Sequence, residues 1–322
     1  MARKTKQPAS DAISEAIEAT FPGASVQSKR ELCSLWAGYG SIYQVLLSNG
    51  NAVIVKSITP PRSNSVSNQR KLRSYEVEGY FYAQLASQSL ARVPAVHAIE
   101  RYDGPSFCFV LEDLSVPFPD NTYSLQGDYL DAALDWLANF HASYWNHAND
   151  DDGVGRDGGY WYLATRQEEL AAMGNDGLAT KLKAQAAAID AKTRDSQYET
   201  LLHGDAKSAN MLWKKASDGS ISCAWVDFQY VGQGLGARDL AYLLCSSTSR
   251  SALRNLDALL QRYLDTFLSA IAHLGKDAHS YNLAKLKEHF LWCLLDYVRF
   301  MAGWGFWGNY DWAIAETKHL LA

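Results

Sequence analysis

Residues 201–229 read LLHGDAKSANMLWKKASDGSISCAWVDFQ. Asp205 supplies a carboxylate, Asn210 an amide oxygen five residues on, and Asp227 a second carboxylate at the end of an apolar run. Lys207 stands between the first two. A carboxylate on a fixed loop accepts a proton from a hydroxyl nucleophile while staying ionised. Mg2+ takes oxygen ligands and keeps several waters, which suits an Asn210 amide and an Asp227 carboxylate. A lysine beside them offsets charge on a transferring phosphoryl group, where electrostatic stabilisation contributes most. A base, a cation and two metal-binding oxygens in one short segment are the parts that phosphoryl transfer from ATP requires.

Taken together, His203-Gly204-Asp205, Asn210 and the strand ending in Asp227 resemble the aminoglycoside phosphotransferase/choline kinase superfamily, relatives of the protein kinases. Gly232, Gly234, Gly236 and Asp239-Leu240 extend the match. Asp227-Phe228-Gln229 resembles the ecdysteroid-kinase-like (CHK kinase-like) branch, which often carries DFQ where protein kinases carry DFG. The resemblance implies that Asp205 is the catalytic base, that Asn210 and Asp227 are Mg2+ ligands, and that His203 holds the catalytic loop. Lys207 falls where Ser/Thr protein kinases place a phosphate-contacting lysine, although many small-molecule kinases lack it. Read without the resemblance, the same residues are a capped turn and an ordinary strand end. The likeness spans roughly residue 31 to the last helices, with its specific motifs confined to short parts of that span.

Upstream, Trp36-Ala37-Gly38-Tyr39-Gly40-Ser41 lies between two β-prone runs. Gly38 and Gly40 let backbone N–H groups approach phosphates, and Ser41 adds a hydroxyl; a plain β-turn has the same appearance. Lys56 ends the run Val53-Ile54-Val55 and resembles the phosphate-binding lysine of kinases. Its expected partner is Glu78, in a Glu78-Gly79-Tyr80-Phe81-Tyr82 segment that resembles the family's E-x-x-F-Y helix; Glu76, facing another way on a helix, ranks second. Glu112-Asp113-Leu114 resembles the linker between lobes, whose backbone would hydrogen-bond adenine.

Ser10 is read as the cap of an opening helix with Ile13 and Ile17 on one face and Pro22 past its end. Strands are expected over residues 31–36, 42–47 and 52–58, with Asn49-Gly50 as a hairpin turn. A loop over 60–68, a helix over 69–90 and strands over 96–100 and 107–111 follow, the last two around Asp103-Gly104. Helices are expected over 126–147, 162–173 and 177–191. A small hairpin of residues 211–213 and 221–227 turns at Asp218-Gly219, and from Ala237 the chain reads as mostly helical. The expected architecture is therefore α+β and bilobal: a small β-rich nucleotide-binding lobe over residues 1–112 and a large, mainly helical lobe over 113–322, with a cleft between them.

The chain has 322 residues and a net charge of −5, which argues against a nucleic-acid binder; Arg3-Lys4-Thr5-Lys6 reads as a solvated tail. The five cysteines form no CxxC pair, which suits reduced thiols in a cytoplasmic protein. No secretory leader is read at the start, and residues 290–307 are interrupted by Asp296 and Arg299, so no membrane partner is expected. The expected activity is Mg2+- and ATP-dependent phosphorylation of a small-molecule hydroxyl acceptor. Trp304, Trp307, Tyr310 and Trp312 read either as an acceptor surface or as core, and Asp150-Asp151-Asp152 as an amine-attracting loop or a solvated one. A catalytically silent nucleotide-binding protein is the alternative in another class. A protein kinase is the lesser one, because no APE-like segment follows Asp227.

Overall fold

The computed structural model describes residues 9–102, 106–147, 153–278 and 280–321. The proposed turn at Asp103-Gly104, the acidic run Asp150-Asp151-Asp152 and the basic N-terminal run lie outside them. The chain divides into two compact units, one of residues 1–87 with 93–117 and the other of 88–92 with 118–322.

The first unit is built on a five-stranded antiparallel sheet in the order β1-β2-β3-β5-β4. Its strands are β1 (Val26–Ser34), β2 (Gly40–Leu47), β3 (Ala52–Ile58), β4 (Val96–Arg101) and β5 (Phe107–Glu112). Alternation decides which side chains face which way. Val53 and Val55 join Val45, Leu47, Cys108 and Val110 in a core with Ile13 and Ile17 of helix α1 (Ala9–Thr20). Lys56, one residue out of that phase, lies on the other face. So does its register partner Phe109, which meets Gly79 and Tyr82 of the helical segment that follows β3.

That segment begins as α2 (Val66–Tyr80), where the Ser65 hydroxyl accepts the Asn68 N–H as N-cap, so the preceding loop is three residues shorter at its end than the sequence suggests. It continues as one π turn, Phe81–Leu85. Strand β1 starts five residues before its expected position and ends at Ser34, and Trp36–Gly38 is instead a tight helical turn. Helix α1 already includes Ala9, so Ser10 lies inside it rather than at its cap.

The second unit is mainly helical. Helix α3 (Asp128–Ser143) packs on α7 (Leu256–His273), and α8 (Leu283–Trp304) touches α5 (Gly177–Lys192), α6 (Ala237–Ser246) and α9 (Tyr310–Thr317); α4 (Gln167–Ala172) lies against the end of α8. Two small antiparallel pairs lie among them: β6 (Glu199–Leu202) with β9 (Gly232–Leu235), and β7 (Met211–Lys215) with β8 (Ile221–Trp225). The glycine-rich stretch after Asp227 is thus a strand and not only a turn. Its glycines permit contact: a Cβ on Gly232 would stand 2.6 Å from the Gly155 oxygen, and one on Gly234 would stand 2.9 Å from the Leu202 side chain. No described helix is long and apolar enough to cross a membrane.

Candidate active site

In the first unit β3 and α2 bring Lys56 and Glu78 together. The Lys56 ammonium donates to both carboxylate oxygens of Glu78, at 2.9 and 2.7 Å, and both side chains are almost wholly buried. Glu76 stands half-exposed beside Arg73 at 3.4 Å, so the helix phase selects Glu78. A buried ion pair is stable only when geometry compensates desolvation, and a carboxylate that takes both oxygens to one ammonium meets that condition.

Gly40 opens β2 opposite Ile58 and has φ 131; a Cβ there would stand 2.0 Å from the Ser57 carbonyl oxygen. Gly38, at φ 75, closes the tight turn, and its N–H donates to the Leu35 oxygen at 3.3 Å. The Ser41 hydroxyl donates to Glu31 at 2.9 Å. Neither Gly38 N–H nor Ser41 hydroxyl therefore stands as the open donor that the sequence suggested. Glu112 ends β5 opposite Val53, at the far end of β3 from Gly40, and its carboxylate accepts the Ala95 N–H. Asp113 accepts from the Gln44 amide at 2.6 Å and from the hydroxyl and N–H of Ser115, which pins the linker; Leu114 is buried.

In the second unit β6 runs into His203-Gly204-Asp205. The Asp239 carboxylate, at the start of α6, accepts the His203 N–H at 2.6 Å and the Gly204 N–H at 3.0 Å. His141 of α3 reaches the same carboxylate at 3.2 Å and is held in turn by Tyr263 of α7 at 2.8 Å. The His203 ring sits among Phe228, Trp225 and Trp136, the last two stacked at 4.3 Å. Its Nε2–H donates to the Val226 carbonyl and its Nδ1 accepts the Asp205 N–H, which fixes the neutral tautomer. Burial lowers its pKa, against the pull of Asp239, Asp205 and Asp227.

Asp205 is buried and accepts from three directions. The Asn210 amide donates to Oδ2 at 3.0 Å and to the Asp205 main-chain oxygen at 2.9 Å. The Lys207 ammonium lies 2.8 Å from Oδ2. Burial alone would lower the Lys207 pKa, and the Asp205 carboxylate outweighs it. The third donor is Tyr242 of α6, whose hydroxyl reaches Oδ1 at 3.1 Å and itself lies 2.8 Å from the Tyr160 hydroxyl. Burial, then the Asp205 charge, raises the pKa of both phenols, which keeps them protonated as donors. Tyr160 and Tyr242 escaped the sequence reading because neither belongs to a motif; a tyrosine three residues past Asp239 was the only signal.

Asp227 lies two residues beyond β8 rather than on it, with φ 71, a backbone region that Asp tolerates better than most residues. The Gln229 amide donates to its Oδ1 at 2.5 Å. The Asn210 amide N–H groups turn onto Asp205, so its Oδ1 is the atom that could take a cation. Among the described residues no cluster of three or more His, Cys, Asp or Glu could hold a metal. An amide oxygen and one carboxylate fit a Mg2+ whose remaining ligands are phosphate and water oxygens.

Of the C-terminal aromatics, Trp312 is core, whereas Trp304 and Trp307 are exposed at 56% and 36%. Trp307 packs edge-to-face on Tyr242 at 6.1 Å. Asn309 pins its loop to the end of α6 through the Leu244 and Thr248 carbonyls. Asp296 and Arg299 form a buried pair at 2.7 Å inside the core and face no acceptor surface.

The sequence profile described as the Phosphotransferase enzyme family (APH) matches residues 32–274. Among solved structures, the GDP and kanamycin complex of APH(2")-IIia aligns at 15% identity over 96% of this chain and 97% of that one, with a TM-score of 0.56. A microcompartment-associated aminopropanol kinase aligns at 15% identity over 97% and 95%, with a TM-score of 0.54. The macrolide 2'-phosphotransferase MphH from Brachybacterium faecium aligns at 17% identity over 95% and 98%, with a TM-score of 0.51. At these identities the likeness shows the fold, which is that of kinase-like phosphotransferases with a β-rich N-terminal part and a helical C-terminal part. A search of curated protein sequences finds no significant match.

Proposed function

The chain belongs to the phosphotransferase enzyme family, and from that premise we propose that it transfers the γ-phosphoryl group of ATP to the hydroxyl of a small molecule. The observation that carries this reading is Asp205: a buried carboxylate with three donors on it, on a loop whose N–H groups are clamped by Asp239. A structural aspartate needs no such preorganisation, whereas a base must hold its geometry against the incoming hydroxyl.

In this mechanism Asp205 orients the acceptor hydroxyl and takes its proton as the new O–P bond forms and ADP leaves. Lys207 keeps one N–H on Asp205 and offers the others to the phosphoryl oxygens. Lys56, fixed by Glu78, takes the α- and β-phosphates, the backbone around Glu112–Leu114 takes the adenine, and Gly38 and Gly40 give the triphosphate close passage. Asn210 and Asp227 would hold Mg2+, which supplies charge neutralisation on the phosphates. The two lobes are taken as functional domains of residues 1–112 and 113–322. The DFQ triplet supports placement in the ecdysteroid-kinase-like branch.

The acceptor is taken to rest near Trp307, because that ring packs on the tyrosine that touches Asp205. The Arg166 guanidinium already stacks on Trp304, 4.7 Å from its ring centre, so that face is closed to an acceptor amine.

The test is turnover by the whole protein against alcohols, sugars, amino alcohols and aminoglycosides, read as ADP release and product mass. Wild type with MgATP is expected to phosphorylate at least one acceptor, and Asp205→Asn to bind MgATP with turnover lowered about a thousandfold. Turnover in Asp205→Asn within about tenfold of wild type overturns the base. Nucleotide binding without turnover in wild type for every acceptor class moves the protein to a silent nucleotide-binding role.

A further inference from the structure

The second unit holds a cavity of about 220 Å3 that the catalytic residues do not line. Arg156, Arg194 and Arg238 face it, with Asp157, Glu199 and Thr193. Arg238 is the unusual member, because it is 3% exposed yet has no carboxylate partner among the described residues. Its guanidinium donates to the Gly158 carbonyl at 3.3 Å and the Thr193 hydroxyl at 2.8 Å, and lies 5.4 Å from the Trp161 ring centre. Its Nε is buried with no nitrogen or oxygen acceptor, and the side chain beside the guanidinium is the Cys293 thiol, a weak acceptor. A buried cation without a counter-ion is costly, and a natural chain keeps one where something else supplies the charge.

The carboxylates facing the cavity do not supply it. Asp157 is paired with Arg194, which also holds Asp190. Glu199 interacts with Arg238 only beyond ion-pair distance, and burial raises its pKa, so it is a weakened counter-charge. Arg156 is exposed, forms no ion pair among the described residues and adds a third positive charge. With Asp190 counted, three guanidiniums meet three carboxylates, but Arg194 takes two of them, and Arg238 and Arg156 are left without an ion pair among the described residues. The volume exceeds that of one water, about 30 Å3, and falls short of the roughly 300 Å3 of a drug-sized pocket. It suits a small tetrahedral oxyanion, for which fork-shaped guanidiniums are the matching donors.

We propose that this cavity is a second, non-catalytic site that binds phosphate or a small phosphate monoester through Arg238, Arg194 and Arg156. Its walls also bear the supports of the catalytic loop. Glu199 opens β6, which runs into His203, and Arg238 immediately precedes Asp239, which clamps His203 and Gly204. Occupancy therefore stiffens the segment that carries Asp205.

The test titrates the full-length protein, without nucleotide, with inorganic phosphate, glycerol 3-phosphate and sodium chloride at matched ionic strength. It follows thermal unfolding and phosphorus NMR line width. Phosphate or the ester is expected to raise Tm saturably while chloride does not, since a ligand bound only to the folded state stabilises it by mass action. The tighter of the two identifies the natural source. Arg238→Met is expected to abolish the shift. Arg156→Ala, at an exposed position that leaves the fold undisturbed, is expected to weaken binding about tenfold with Tm in chloride unchanged. Lys56→Met is expected to keep the full response. Absence of saturable binding overturns the site, and so does a response that is lost in Lys56→Met but intact in both Arg238→Met and Arg156→Ala.

Discussion

Two charged groups anchor the two units, and they are held in opposite ways. Lys56 is held mainly by one ion pair: a sheet places it, a helix brings Glu78 with the Tyr75 ring beside it, and the pair is almost wholly buried. Asp205 depends on many, with Lys207, Asn210 and Tyr242 on its side chain and Asp239, His203, His141 and Tyr263 behind its loop. A single buried pair is stiff but fails entirely when one member is removed. A network spreads the load, so that no single supporting donor is indispensable while the group at its centre remains so.

Several substitutions break or sharpen this contrast. Removing the centre of the network has the largest expected effect: Asp205→Asn lowers turnover roughly a thousandfold with MgATP binding retained, measured by steady-state kinetics and nucleotide titration. Next, Glu78→Ala strands a buried ammonium and is expected to cost about 3–5 kcal/mol in urea unfolding, whereas Lys56→Met with Glu78→Met recovers most of that loss without recovering ATP use. A stability loss in Glu78→Ala no larger than that of a surface substitution would show that the pair is not dry in solution.

Removing one donor from the network is milder. Tyr242→Phe is expected to lower kcat about tenfold with the KM for ATP unchanged, the value of one hydrogen bond to a charged group. The pH dependence of stability probes the loop's support. Burial depresses the folded-state pKa of His203, so the unfolded chain takes up a proton below about pH 6.5 that the folded chain refuses. Stability then falls with pH by up to about 1.4 kcal/mol per unit until the folded pKa is reached, and is level above pH 6.5. His203→Gln is expected to remove that slope in urea unfolding at pH 5 and 7, whatever its absolute stability. The smallest effect is Ser41→Ala: its hydroxyl is given to exposed Glu31, and catalytic efficiency is expected to stay within about twofold.

The sequence reading succeeded where local pattern and tertiary need coincide. Alternation and Asn49-Gly50 set β3 to the residue, and helix phase chose Glu78 over Glu76. It failed where the need was tertiary alone. The sequence suggests no strand at Gly232 and Gly234, since glycine is depleted in strands, yet close packing against Gly155, Gly158 and Leu202 requires a strand without side chains there. Tyr160 lies in a loop and Tyr242 in an apolar helix. Only the folded chain brings their hydroxyls together and onto Asp205. The Ser41 contact was hidden for a related reason: a hydroxyl near glycines looks available until its cross-strand neighbour Glu31 is known.

The left-handed backbone of Asp227 decides how an inert yet intact version of this protein should be made. Replacement by alanine or glutamate would remove or displace the carboxylate and also force an unsuited side chain into that conformation, mixing a folding defect with a chemical one. Asparagine adopts the same twist readily and keeps an oxygen in place of Oδ1, so Asp227→Asn is the cleaner reference for separating metal affinity from conformational damage.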